Sequence, residues 1–103
     1  MMHAVAIAVP PAAPSNLVAT VQGNKATLRW TANANNESGF RIQRATNSTF
    51  TAGLVTSTVG ANITTFQTGN VARNTAFYFR VQAFNSADPS AWVNATPFPI
   101  TTP

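Results

Sequence analysis

The stretch Thr75–Asn85, TAFYFRVQAFN, decides the fold. Phe77, Phe79, Val81 and Ala83 fall on one side at a period of two, and Tyr78, Arg80, Gln82 and Phe84 on the other. Alternation in an aromatic and β-branched run is the signature of a strand, because successive side chains of an extended backbone point to opposite faces. The same period recurs outward from it. Upstream, Leu17, Ala19 and Val21 alternate with Val18 and Thr20, and Gln22-Gly23-Asn24 makes a turn. Ala26, Leu28 and Trp30 then alternate with Thr27, Arg29 and Thr31, and a polar loop covers 33–39. Phe40 and Ile42 alternate with Arg41 and Gln43. A looser stretch, 46–60, carries Phe50, Leu54, Val55 and Val59, and a short strand surrounds Phe66 ahead of a turn at Gly69-Asn70. Downstream, a last strand runs through Trp92 and Val93. About seven short strands with regular turn signals predict an all-β antiparallel sandwich. Its expected core is Leu17, Leu28, Trp30, Phe40, Ile42, Phe66, Phe77, Phe79, Val81 and Ala83.

Prolines bracket this body. Pro10, Pro11 and Pro14 stand before it and Pro97, Pro99 and Pro103 after it, with Pro89 alone between. Proline lacks the N–H that a central strand needs, so the flanks read as linkers. The expected division is a linker or extended segment over 1–13, a domain over 14–96 and a Pro-rich linker over 97–103. Within the first segment Ala4, Val5, Ala6, Ile7, Ala8 and Val9 form an uncharged run suited to pairing with the edge of another sheet. The run is too short for a membrane span, so no membrane insertion is expected. No basic region precedes it as a secretion signal requires.

Composition narrows the function classes. Of 103 residues 8% are charged, and Asp and Glu total 2, against roughly 25% charged residues in ordinary domains. The acids are Glu37 and Asp88, the one histidine is His3, and there is no cysteine. General acid–base catalysis needs titratable groups within reach of one another, which these are not placed to provide. Thiol nucleophiles, cysteine zinc sites and disulfides are excluded. The chain is therefore expected to be no enzyme and to take no cofactor or metal. The net charge of +4 reflects missing acids. Lys25, Arg29, Arg41, Arg44, Arg73 and Arg80 are scattered, so no nucleic-acid partner is expected. A polar but uncharged surface suits a secreted or cell-surface protein. Four Asn-x-Ser/Thr triplets begin at Asn36, Asn47, Asn62 and Asn94, acceptors only in a compartment that glycosylates.

Pro14-Ser15-Asn16-Leu17, Ala26-Thr27-Leu28-Arg29-Trp30-Thr31, Gly39-Phe40-Arg41-Ile42 and the run Thr75–Asn85, in that order and spacing, resemble a fibronectin type III domain. Ser90-Ala91-Trp92 is similar to the serine-containing start of that family's last strand. The likeness spans about residues 14–96 and is greatest to bacterial and archaeal examples from secreted, multi-modular proteins. It implies an immunoglobulin-like seven-strand β-sandwich with Trp30 in the core against Ile42, Phe79 and Val81. One departure stands out. Where the family usually has a tyrosine whose hydroxyl bonds back to nearby backbone, this chain has Phe77, and Tyr78 comes one later. Tyr78 must then face outward, and the corner hydrogen bond is lost. The Leu-x-Pro-Gly that commonly precedes this strand is here Val71-Ala72-Arg73-Asn74. No Arg-Gly-Asp occurs, so integrin binding has no support.

Two surface candidates follow. Arg41, Gln43, Tyr78, Arg80 and Gln82 are expected on the outer face of one sheet, where arginine over tyrosine makes cation–π contacts suited to a protein interface. Phe84 and Trp92 are candidates for an aromatic platform for a sugar ring. The expected role is a non-catalytic extracellular spacer or protein-interaction module of a larger protein, its partners the neighbouring domains. The alternatives are a structural subunit that assembles with copies of itself into a fibre or oligomer through its terminal strands, and a carbohydrate-binding accessory module with a polysaccharide partner.

Overall fold

Among the described residues period-two alternation produces eight strands: β1 (Ser15–Gln22), β2 (Lys25–Thr31), β3 (Gly39–Ala45), β4 (Val55–Gly60), β5 (Thr65–Gln67), β6 (Ala76–Phe84), β7 (Val93–Asn94) and β8 (Ile100–Thr101). The computed structural model describes residues 9–103. One sheet has the order β1-β2-β5 and the other β4-β3-β6-β7, with β8 paired to β6 beside β7. All strand pairings are antiparallel. The tight β1–β2 connection uses Gly23 at φ +59°, a conformation that glycine adopts without steric cost.

The two sheets meet over the apolar alternates. Leu17 and Ala19 of β1, Ala26, Leu28 and Trp30 of β2, Phe40 and Ile42 of β3, and Phe77, Phe79, Val81 and Ala83 of β6 form one buried cluster. Phe66 on β5 is half-buried against it. Trp30 is 5% exposed, and its ring lies 5.4 Å from that of Phe40 at a tilt of 57°. Its Nε1 is buried without a partner, so packing alone holds the indole. Gly39, the first residue of β3, is pinned by close approach: a Cβ there would collide with the Val59 carbonyl and meet the Phe84 ring.

The flanks differ from the linkers expected of them. Pro11 and Pro14 are buried, the Val9 carbonyl accepts from Asn36 and Asn85, and the Ala13 carbonyl accepts from Asn33. Residues 9–13 are therefore tied to the sandwich by amide side chains of distant loops. Ala4–Ala8, the rest of the expected pairing segment, lie outside the described residues. At the other end, residues 97–103 are no free linker. The last strand, expected through Trp92 and Val93, covers only Val93–Asn94 and resumes in the tail: β7 pairs with β6 at Arg80 and Val81, and β8 pairs with its start at Ala76 and Phe77. Ile100 is buried in the core cluster. The prolines punctuate the strand between its two halves instead of ending the fold.

This tail also supplies the missing corner bond. Phe77 faces the core and Tyr78 faces outward, as the period requires. The buried Thr102 hydroxyl donates to the Ala72 carbonyl at 2.7 Å and accepts from the Thr75 N–H at 3.1 Å. It thus ties the turn before β6, at the corner whose tyrosine hydrogen bond was expected to be lost. Removing one partner of a buried hydrogen bond costs about 1–3 kcal/mol. Thr102→Val should lower stability by that amount in urea unfolding. Deletion of 97–103 should cost more, since Ile100 and the β8 ladder are lost too; unchanged midpoints would show that the tail contributes nothing.

Candidate interaction face and family

The outer side of the β3–β6 ladder gathers the polar and aromatic alternates that the inner core rejects. Antiparallel register sets Arg41 opposite Gln82, Gln43 opposite Arg80 and Gly39 opposite Phe84. Arg80 donates from Nε and Nη2 to Gln43 Oε1 at 2.8 and 2.6 Å. Gln43 in turn donates to the Thr56 hydroxyl of β4 at 3.3 Å. Arg41 donates to Gln82 Oε1 at 3.2 Å. Gln82, expected in solvent, is 5% exposed: the β6–β7 loop covers it, and its amide donates to the Ser90 carbonyl at 3.1 Å. The Ser90 hydroxyl accepts from the Ala83 N–H at 2.9 Å, which clips that loop to the strand.

The arginines find aromatic partners, but not Tyr78. The Arg41 guanidinium lies 4.1 Å from the centroid of the Phe84 ring. That of Arg80 lies 4.0 Å from Phe50 and 4.3 Å from Trp92, between the two rings. Tyr78 meets the edge of Phe98 at 4.9 Å, and Phe98 stacks on Phe50 at 6.1 Å. The result is a second aromatic layer, Trp92, Arg80, Phe50, Phe98 and Tyr78, on a face expected to be wet. Burial pushes the Arg80 guanidinium below its ordinary range; arginine starts so high that it stays charged at neutral pH.

Phe84 and Trp92 do not form one open platform. Each has a guanidinium over its ring, and both are half-buried. The strand positions they attend, 84 and 80, are about 13 Å apart along β6 at about 3.3 Å per residue.

Phe50 and Phe98, the residues that complete this layer, were not among the candidates. Phe50 is 5% exposed with φ +56°. Its loop is wound by Asn47, whose Oδ1 accepts from the N–H groups of Thr51 and Ala52 at 2.9 and 3.2 Å. An asparagine heading a Ser/Thr-rich turn is the local signal. For Phe98 the signal is an aromatic next to Ile100 in a segment otherwise composed like a linker.

The family model for the fibronectin type III domain matches residues 12–96. The chain belongs to the fibronectin type III family. Solved structures agree. The fn3 domain of human collagen alpha-1(XX) chain is 17% identical, with a TM-score of 0.75 over 92% of this chain and 88% of that one. A Fn3-like protein from Clostridium thermocellum is 27% identical, with a TM-score of 0.65 over 85% and 94%. The FN1-FN3 domains of chicken CNTN1 are 20% identical, with a TM-score of 0.74 over 86% of this chain and 31% of that one. No curated protein matches the chain in sequence. Fibronectin type III domains are often modules of larger chains, as the multi-domain CNTN1 and titin structures illustrate.

Arg80 is the centre of the outer layer, holding two rings and one amide. Arg80→Ala should destabilise the domain by about 2–3 kcal/mol, from the lost charged hydrogen bonds and cation–π contacts. Arg80→Lys should recover less than half of that, because an ammonium lacks the planar fork. Urea unfolding of the three proteins checks this; a Lys variant equal to the parent would refute the role of the planar group.

Proposed function

We propose that this fibronectin type III domain is a non-catalytic spacer module that holds neighbouring domains of a larger extracellular protein at a fixed separation. The observation that carries the reading is where the chain enters and leaves the sandwich. Val9 is held at the end formed by the β2–β3 and β6–β7 loops, through Asn36 and Asn85. Pro103 lies at the opposite end, where its carbonyl accepts from the Asn74 N–H ahead of β6. Between them runs β6, nine residues long, or about 30 Å at the usual strand rise. Val9 and Pro103 are each pinned by hydrogen bonds, so the separation between them is set by packed structure.

Three further points support the role. The outer face of the β3–β6 ladder is largely occupied by the domain's own residues, which favours a spacer over a docking surface centred on Arg41, Gln43, Tyr78, Arg80 and Gln82. The rings of Phe84 and Trp92 are engaged by arginines, which disfavours the polysaccharide reading. The chain's two acids, Glu37 and Asp88, leave little for catalysis. The extracellular setting rests on the uncharged polar surface and on the family's frequency in extracellular proteins; no helix among the described residues is long and apolar enough to cross a membrane.

Two copies of the domain joined head to tail through their own terminal residues test the proposal. Small-angle X-ray scattering should show a longest dimension greater by about 30 Å or more than that of one copy. A pair folded side by side would contradict it. A mass above that of the tandem itself would favour the self-assembling subunit instead.

A further inference from the structure

The sandwich is open along one side, between β4 at the edge of one sheet and β5 at the edge of the other. A cleft of about 200 Å³ lies there, its apolar floor made by Ile42, Phe66 and Phe79, its rim by Val55 and Ser57. Arg44 enters the same cleft. The cause is the strand period: Phe40 and Ile42 face the core, so the next alternate on β3 must follow them inward.

Arg44 is half-buried there and lacks the partner that a desolvated cation ordinarily has. Its Nε is buried without a hydrogen-bond partner. The aromatic neighbour of its guanidinium is the Phe77 ring, 5.4 Å away. The chain's two acids, Glu37 and Asp88, sit in the β2–β3 and β6–β7 loops at the other end of the sandwich. Buried polar groups are nearly always satisfied, and guanidinium groups bind carboxylates through two parallel hydrogen bonds. The Thr68 hydroxyl on the wall is already committed, accepting from the Ala26 N–H and donating to the Gly69 carbonyl. Arg44 is thus the charged group in the cleft that can orient a ligand.

We propose that this cleft is a binding site for a small carboxylate carrying a compact apolar body. The carboxylate pairs with the Arg44 guanidinium, and the apolar body lies against Ile42, Phe66 and Phe79. Size agrees: an apolar cavity of about 150 Å³ holds benzene, and the extra room accommodates one carboxylate. The site is separate from both chain ends, so it stands or falls independently of the spacer role.

Benzoate is the probe, and benzamide, its neutral isostere, the control. Both are titrated into the ¹⁵N-labelled chain while amide chemical shifts are followed. Benzoate should move the amides of Ser57, Phe66, Thr68 and Gly69 along saturating curves, and benzamide should bind about tenfold more weakly or worse. Arg44→Gln should bring benzoate down to the level of benzamide, and Ser57→Phe, which fills the cleft, should abolish both responses. The parent titrations and Ser57→Phe decide the matter even should Arg44→Gln unfold. Absence of saturating shifts at these amides with the parent protein overturns the site. So does equal binding of the two probes, or a response centred on another arginine.

Discussion

The pairing of β6 with β3 is the constraint on which the rest depends. Its seven registered positions put Phe40, Ile42, Phe79 and Val81 on one side of a single ladder and Arg41, Gln43, Arg80 and Gln82 on the other. A slip of β6 by one residue would exchange its two faces and turn Arg80 and Gln82 into the core in place of Phe79 and Val81. Register is therefore enforced twice: by burial of the inner row against Trp30 and Leu28, and by amide and guanidinium pairs that fit on the outer row only when the strands are aligned.

That double enforcement explains which parts of the fold were legible in the sequence. Inner residues announce themselves by local alternation, so Trp30, Phe77, Phe79 and Val81 could be placed from spacing alone. The outer face follows the same alternation, and polar alternates ordinarily mean water. What covers it arrives from far along the chain: Phe50 from a turn wound by Asn47, Trp92 from the end of the β6–β7 loop, Phe98 from the tail. No short-range pattern connects these residues, and arginine sandwiched by distant rings is a tertiary event. Gln82 is buried for the same reason, because the loop clipped by Ser90 lies over it.

The tail carries a second lesson. Proline argues against a continuous strand, and Pro97 and Pro99 do interrupt one. The chain resumes pairing at Ile100–Thr101 and ends with Thr102 in the turn before β6. A hydroxyl from the terminus therefore stands in for the tyrosine that the family usually places at this corner. The proposed spacer role rests on the same anchoring. Segments tied at opposite ends of the long ladder suit a module that transmits a fixed distance, while the cleft beside Arg44 lies on the open side that this ladder does not close.

Native-state hydrogen exchange on the unmodified chain tests the primacy of the β3–β6 ladder most directly. The ladder amides of Arg41, Gln43, Arg80 and Gln82 should exchange only through global unfolding and be the slowest in the molecule, with β1 and β4 opening more readily. Faster exchange in β3 and β6 than in β1 and β2 would contradict the account, because the fold would then rest on the other sheet.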